Sequence, residues 1–298
     1  MDTLREVFDP NFLLRNSVYM SLLIGLACPL VGVYLLLRRL VFMGVALPQV
    51  SSCGIAFAFA FHTWGIVPHL DEQEHTLAFV GSSVFTLTAI LIFLFLERRG
   101  RSVIEGTVGT AYVLAGAWGI LLLVKNPHGE HGLQDRLKGE IIAVSNADLA
   151  WTLAAFAVVV ITLTLFQKEF MLVSFDREMA ITLKKNVLVW DAVLFLLIGL
   201  TISMAVLSVG PLVTFGFLLI PPLTAHLFAR NMHQFALFAS GIGGAVALAG
   251  FCLAYRMDLP VGPTDVALLG VVYGVILLGQ KVVGFVRSKG ALNQGAKS

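Results

Sequence analysis

Apolar runs of roughly 20 residues recur along the chain from Ser17 to Phe285, separated by short polar stretches. As a helix, each run is long enough to cross the roughly 30 Å hydrocarbon core of a bilayer. The alternating segments of roughly ten residues that build a lipid-facing barrel are absent. The pattern therefore predicts an all-α fold, a polytopic transmembrane helical bundle of about 8–9 spans. The predicted spans cover residues 17–37, 41–66, 76–96, 103–124, 149–166, 187–229, 235–255 and 266–286. The 187–229 run is long enough for two spans, with a break expected at Ser208-Val209-Gly210-Pro211 and an interruption at Pro221 and Pro222. Two crossings there give nine spans, and a dip without crossing gives eight. The chain divides into an N-terminal polar segment at 1–16, a transmembrane domain at 17–286 and a basic flexible tail at 287–298.

One charged island interrupts the apolar pattern, QKEFMLVSFDREMAITLKKNVLVWD, from Gln167 to Asp191. Its middle predicts a short amphipathic helix over about 174–186. Asp176 is placed to cap the N-terminus, Glu178 falls in the first turn, Lys184 and Lys185 fall in the last, and Asn186 can close the end. Phe175, Met179 and Leu183 recur every four residues and share one face. A helix this short is not stable alone, so its apolar stripe must dock on the protein's own spans or on a partner. The island reads as a lever between membrane helices on the cytoplasmic side.

Composition supports the membrane reading. Of 298 residues 58% are hydrophobic and 13% charged, against about 25% charged in soluble domains. The net charge of +2 is less informative than its placement. With nine spans, Arg38/Arg39, Arg98/Arg99/Arg101, Lys184/Lys185, Arg230 and Arg287/Lys289 fall on one side, the cytoplasmic side by the positive-inside rule. The acidic loop from Asp71 to Glu74 and the late DLPVGP loop fall on the other. This places the N-terminus outside and the C-terminus in the cytoplasm. The loop after the fourth span runs against the scheme, carrying Lys125, Arg136 and Lys138 alongside Glu130, Asp135 and Glu140. The N-terminus lacks the basic region and cleavage site of a secretory signal. Cys28, Cys53 and Cys252 lie in apolar runs with neither zinc-site nor disulfide spacing.

The chain carries no GxxxxGK[ST] loop, HExxH or GxSxG signature, so no enzyme activity and no nucleic-acid partner is expected. The third, fourth, fifth and eighth spans hold no ionisable residue in their interiors. An ion-coupled carrier needs such groups, so energy is expected to arrive from another chain. In the outer loop His69, Asp71, Glu72, Glu74 and His75 cluster. Imidazole and carboxylate suit zinc and manganese, which makes His69, Asp71 and His75 candidate metal ligands. A solvated acidic loop, or a surface that meets a basic patch on a partner, accounts for the same residues. Pro48, Pro211, Pro221 and Pro222 kink helices, either to line a pathway or to serve packing. The glycines of the fourth and eighth spans, Gly106, Gly109, Gly116, Gly119, Gly241, Gly243 and Gly244, read as helix-packing surfaces.

Five blocks in order carry a resemblance over nearly the whole chain: RRLVFMGVALPQVSSCGIAFAF, EIIAVSNADL, FMLVSFDREMAITL, LLIPPLTAHLFA and DLPVGPT. The chain resembles the permease subunits of bacterial ABC transporters for zinc, manganese and iron. The resemblance implies a type II-like importer permease in the bacterial inner membrane, with no tightly bound cofactor. It translocates a divalent metal (Zn, Mn or Fe), with energy from partner ABC ATPase subunits and cargo from an extracytoplasmic solute-binding protein. It implies a second permease subunit, identical or different, and an ATPase groove that receives Phe175, Asp176, Arg177, Glu178, Met179 and Leu183. Arg177 and the two lysines are also placed to meet the ATPase or anionic membrane lipid. The family commonly reads GDALSHA after the first span, and here Val45 and Gln49 stand where the acid and histidine are expected. Together with Pro48, Pro221 and Pro222 these residues are the pathway candidates. Valine cannot ligate a metal and glutamine is a weak zinc ligand. Three arrangements accommodate this: a sister permease supplies the ligands, the binding protein performs selection, or the substrate is not a transition metal. A permease for a metal chelate such as vitamin B12 or a siderophore, and a single-chain ion-coupled secondary carrier, are the alternatives.

Overall fold

The computed structural model describes residues 14–63, 74–97, 101–124 and 144–295. Among the described residues there are ten helices and no strand: α1 (Arg15–Leu37), α2 (Val41–Thr63), α3 (Glu74–Glu97), α4 (Arg101–Val124), α5 (Asn146–Leu165), α6 (Gln167–Phe175), α7 (Arg177–Thr182), α8 (Val187–His226), α9 (Met232–Met257) and α10 (Val261–Gly295). Eight of them are long and apolar enough to cross a membrane. The last helix continues through residues expected to form the tail.

One of the eight is folded on itself. A straight helix of the 40 residues of α8 would be roughly 60 Å long, twice the hydrocarbon thickness. Gly210 breaks it with φ 79° and ψ 170°, a region open essentially only to glycine. Pro211 adds to the break by disfavouring helical geometry in the residue before it and by lacking an N–H. The Thr214 hydroxyl donates to the Gly210 carbonyl at 2.7 Å, so the turn leaves that acceptor satisfied. Both ends of α8 return to the same end of α1: Asp191 pairs with Arg38, and Ala225 joins Val33, Phe235 and Ala239 in one apolar cluster. Near the turn, Gly216 meets Val266 at the start of α10. Eight helices with one bent double make nine passages. An odd count requires α1 and α10 to run in the same direction, and they do. Ser21 near the start of α1 donates to Asp265 near the start of α10 at 3.4 Å, while Gln280 far along α10 donates to the Leu227 carbonyl at 2.7 Å.

Pro221 and Pro222 do not interrupt the second arm, which stays helical to His226. Each proline frees the carbonyl four residues back, at Phe217 and Leu218. A methyl on Gly32 would fall on the Leu218 oxygen, so α1 lies directly against this weakened turn. Two further crossings bring backbone to backbone. Gly25 of α1 and Gly243 of α9 each occupy the space the other's Cβ would need, and Gly54 of α2 and Gly81 of α3 do the same. Gly244 also packs, against Leu22 and Leu26, whereas Gly106, Gly109 and Gly241 have nothing within 4 Å of a Cβ and face open space. The glycine stripes are therefore packing surfaces only in part.

The core lies where α1, α2 and α8 meet, with Ile24, Cys28, Leu47, Leu194, Ile198 and Phe217 all buried. Helices α4 and α5 stand at the edge and expose Val113, Trp118, Leu121, Trp151 and Leu165, apolar side chains that suit lipid or another apolar surface.

Replacing Gly32 by valine drives two methyls into the Leu218 backbone, and overpacking of this kind costs about 1–3 kcal/mol. The expected result is a lower melting temperature in detergent for Gly32→Val, with Gly241→Val, at an open face, melting close to the parent; fluorescence-detected gel filtration after heating reads both.

Candidate coupling surface and membrane path

The charged island folds as two short helices rather than one helix over 174–186. Phe166 ends α5 at φ −104° and ψ 23°, and α6 begins at once. Asp176 then leaves the helical region (φ −136°, ψ 82°) and caps a fresh helix, its Oδ1 accepting from the Met179 N–H at 2.9 Å. A side chain that caps cannot also continue the helix behind it, so Ser174 and Phe175 belong to α6. Helix α7 ends with the Lys185 N–H on the Ala180 carbonyl at 3.0 Å. Lys184 sits in the left-handed region at φ 55°, a closing position that favours glycine. Asn186 does not close α7; its Oδ1 accepts from the Val189 N–H at 3.4 Å and so caps α8.

One face of this apron is anchored. Ala180 is buried with Val173 and Val187 beside Trp190, and the Trp190 ring meets Phe166 and Phe170. The other face is bare: Phe175, Met179, Ile181 and Leu183 are each more than half exposed, at 62%, 53%, 62% and 54%. Asp176 and Glu178 are exposed beside them. The three residues expected on one helical face are all exposed, but they do not share a helix: Phe175 ends α6, Met179 lies in α7 and Leu183 caps it.

Beneath it lies an arrangement the sequence reading passed over. Arg38, just past the end of α1, pairs through Nη1 with Asp191 Oδ1 at 2.7 Å, the side chains 7% and 3% exposed. Its Nε donates to the Ser174 hydroxyl of α6 at 2.9 Å. The guanidinium also lies 5.7 Å from the centre of the Phe195 ring. In the sequence Arg38 marks only the membrane topology and Asp191 only the edge of the island. The available signal was Asp191 itself, an acid inside a helix with an otherwise apolar sequence, where an unpaired charge is costly. Asp265 was passed over too: it is buried against α1 and Gly250, and Ser21 donates to it.

Val45, Pro48 and Gln49 share the first half of α2. Pro48 is buried, Val45 and Gln49 half-buried. Gln49 reaches α4, its Nε2 lying 3.3 Å from where a Cβ on Gly116 would stand. Pro222 instead packs at Gly32 of α1, so the proline pair and the Gln49 group meet different helices. Just beyond Gln49, the Ser51 and Ser82 hydroxyls lie 2.6 Å apart, and Ser82 is 3.5 Å from the Ser203 carbonyl. The Ser203 and Thr86 hydroxyls are buried there without a partner among the described residues. Helices α2, α3 and the first arm of α8 thus meet along a seam of hydroxyls. His69 and Asp71 lie outside the described residues, and of His75 only its place in α3 is described. Among the described residues no three His, Cys, Asp or Glu side chains gather as a metal site.

Among the described residues the chain thus makes nine helical passages, with a seam of hydroxyls between three of them and a bare apolar step at one end. The ABC 3 transport family matches residues 11–280, and the chain belongs to it; it is an ABC permease, the membrane-spanning component of a transporter. Similar relatives include the manganese transport system membrane protein MntC of Listeria monocytogenes, 26% identical over 93% of this chain and 94% of its own. Another is MntD of Bacillus subtilis, a manganese transport system membrane protein, 27% identical over 90% and 92%. A probable iron transport system membrane protein of Haemophilus influenzae is 24% identical over 93% of each chain. The solved structure of PsaBC from Streptococcus pneumoniae in complex with Fab superposes with a TM-score of 0.78, 22% identity and coverage of 92% and 94%.

Asp176→Ala removes the cap of α7, which typically costs about 1 kcal/mol. Hydrogen exchange at the Met179 amide is expected to accelerate while the amides of α6 keep their protection.

Proposed function

We propose that this chain is the permease of an ABC importer that carries a divalent metal ion, manganese first, across the bacterial inner membrane. The observation that carries the reading is the bare apolar step of Phe175, Met179, Ile181 and Leu183, spread over the end of α6, α7 and its C-terminal cap, whose other side is anchored to the spans. An apolar step facing water at the end of a permease is explained by a partner that covers it, and in an ABC transporter that partner is the ATPase. Asp176, Arg177 and Glu178 lie at the same step. Hydrolysis takes place in that partner chain, and ATP-driven closure pushes α6 and α7 as a lever against the bundle. The cytoplasm lies on the side of Arg38, Arg39 and Arg230, which places the N-terminus outside and the C-terminus inside.

The names of the relatives support manganese, with iron next. Near mid-span the Gln49 amide and the hydroxyls of Ser51, Ser52 and Ser82 offer hard oxygen atoms, with the softer Cys53 thiol one turn further along α2, so this donor set by itself does not choose between the metals. Val45 contributes no ligand, so selection rests with an extracytoplasmic binding protein that delivers the ion, and a second permease subunit completes the path. Pro48 shapes that path from α2, while Pro221 and Pro222 let the second arm of α8 follow α1.

Met179→Asp with Leu183→Asp puts two charges on the stripe without touching the buried face. The double variant is expected to reach the membrane at normal levels and to lose the ATPase on affinity purification, along with ATP-dependent manganese uptake. Undiminished copurification would remove the lever from the mechanism.

A further inference from the structure

We propose that Arg38 is the joint through which the lever moves the membrane core, a positioning residue for transport; the assignment rests on the ABC importer reading above. Three elements converge on its guanidinium. Arg38 itself fixes the end of α1, where Arg39 turns left-handed at φ 59° and the Leu40 N–H closes on the Leu35 carbonyl at 2.9 Å. Nη1 holds Asp191 in the first turns of α8. Nε holds Ser174 in the last turns of α6. The lever therefore reaches α1 and the α8 hairpin through one planar group.

A directional fork is required for this. Guanidinium presents donors on separate nitrogens at fixed angles toward two acceptors on different helices, whereas an ammonium gathers its three rotatable donors on one atom and does not fix that separation. The site is nearly closed to solvent, so the pair is not screened as a surface pair would be. It is also not saturated: Nη2 is buried without a partner among the described residues. A buried donor left open is unfavourable, and a shift of α6 is the change that can bring a new acceptor to it.

The test uses the full complex in proteoliposomes, permease with its ATPase and binding protein, measuring manganese(II) uptake and ATP hydrolysis together. Ser174→Ala cuts only the tie to the lever and leaves the Arg38–Asp191 pair in place. Arg38→Lys keeps the charge and loses the fork. Both are expected to bind the ATPase as the parent does and to hydrolyse ATP, while ions carried per ATP fall roughly three- to thirtyfold, the range of coupling changes along a mechanical path. Ser174→Thr, which restores the hydroxyl, is expected to recover the ratio. If Arg38→Lys does not assemble, Ser174→Ala decides alone. Parent-like ions per ATP in Ser174→Ala, in a complex whose parent transports, would overturn the joint and leave the transporter standing. A parent complex that takes up none of manganese(II), iron(II) or zinc(II) on ATP would overturn the metal-importer reading and the joint with it.

Discussion

Inside a bilayer a polar group without a partner has no water to fall back on, and this constraint shapes the bundle. Backbone donors and acceptors are met within helices, so the chain departs from helical geometry inside its spans at one place among the described residues, Gly210. There a side-chain hydroxyl takes up the carbonyl the turn releases. Several side chains follow the same rule. Thr201, Ser208 and Thr224 donate back to their own helix, Ser51 and Ser82 find each other, and the one buried cation found in an ion pair, Arg38, has an acid and a hydroxyl beside it.

Burying Arg38 and Asp191 is not a source of stability in itself. The cost of removing two charges from water approaches or exceeds their attraction, and removing one partner alone typically costs about 3–5 kcal/mol. Such a pair is better understood as fixing one arrangement of helices over others. That view fits its position, between the end of one span, the start of another and the apron that lies across them. The stripe above it differs in kind, since its apolar side chains are exposed rather than paired or buried.

Much of this was legible in the sequence. The length of each apolar run set the spans to within a few residues, because hydrocarbon thickness leaves little freedom. Gly210 with Pro211 marked the break in α8, since both residues disfavour a continuing helix, but left open whether the chain crosses twice there or only dips. Asp176 was recognised as a cap, yet the helix it begins was drawn too early and too long. The pattern every four residues runs through Phe175 without registering that the cap itself breaks the chain there. Pro221 and Pro222 misled for the opposite reason: proline weakens a helix, but whether the helix yields depends on the neighbour, and Gly32 leaves room for it to continue. Arg38 with Ser174 was out of reach, because their separation of 136 positions closes only in three dimensions. The unpartnered hydroxyls at Thr86 and Ser203 were equally invisible, as serine and threonine in a span ordinarily bond to their own helix.

The two glycine crossings have a mechanical consequence. Where Gly25 meets Gly243 and Gly54 meets Gly81, main chain lies on main chain, and neither helix of a pair can roll or slide without the collision of atoms that have no rotamer to yield. Helices α1 and α9 therefore travel as one stiff plank and α2 and α3 as another. The second arm of α8 is held to α1 in the same way, where the Gly32 backbone meets the Leu218 carbonyl, so it belongs with the first of these two units.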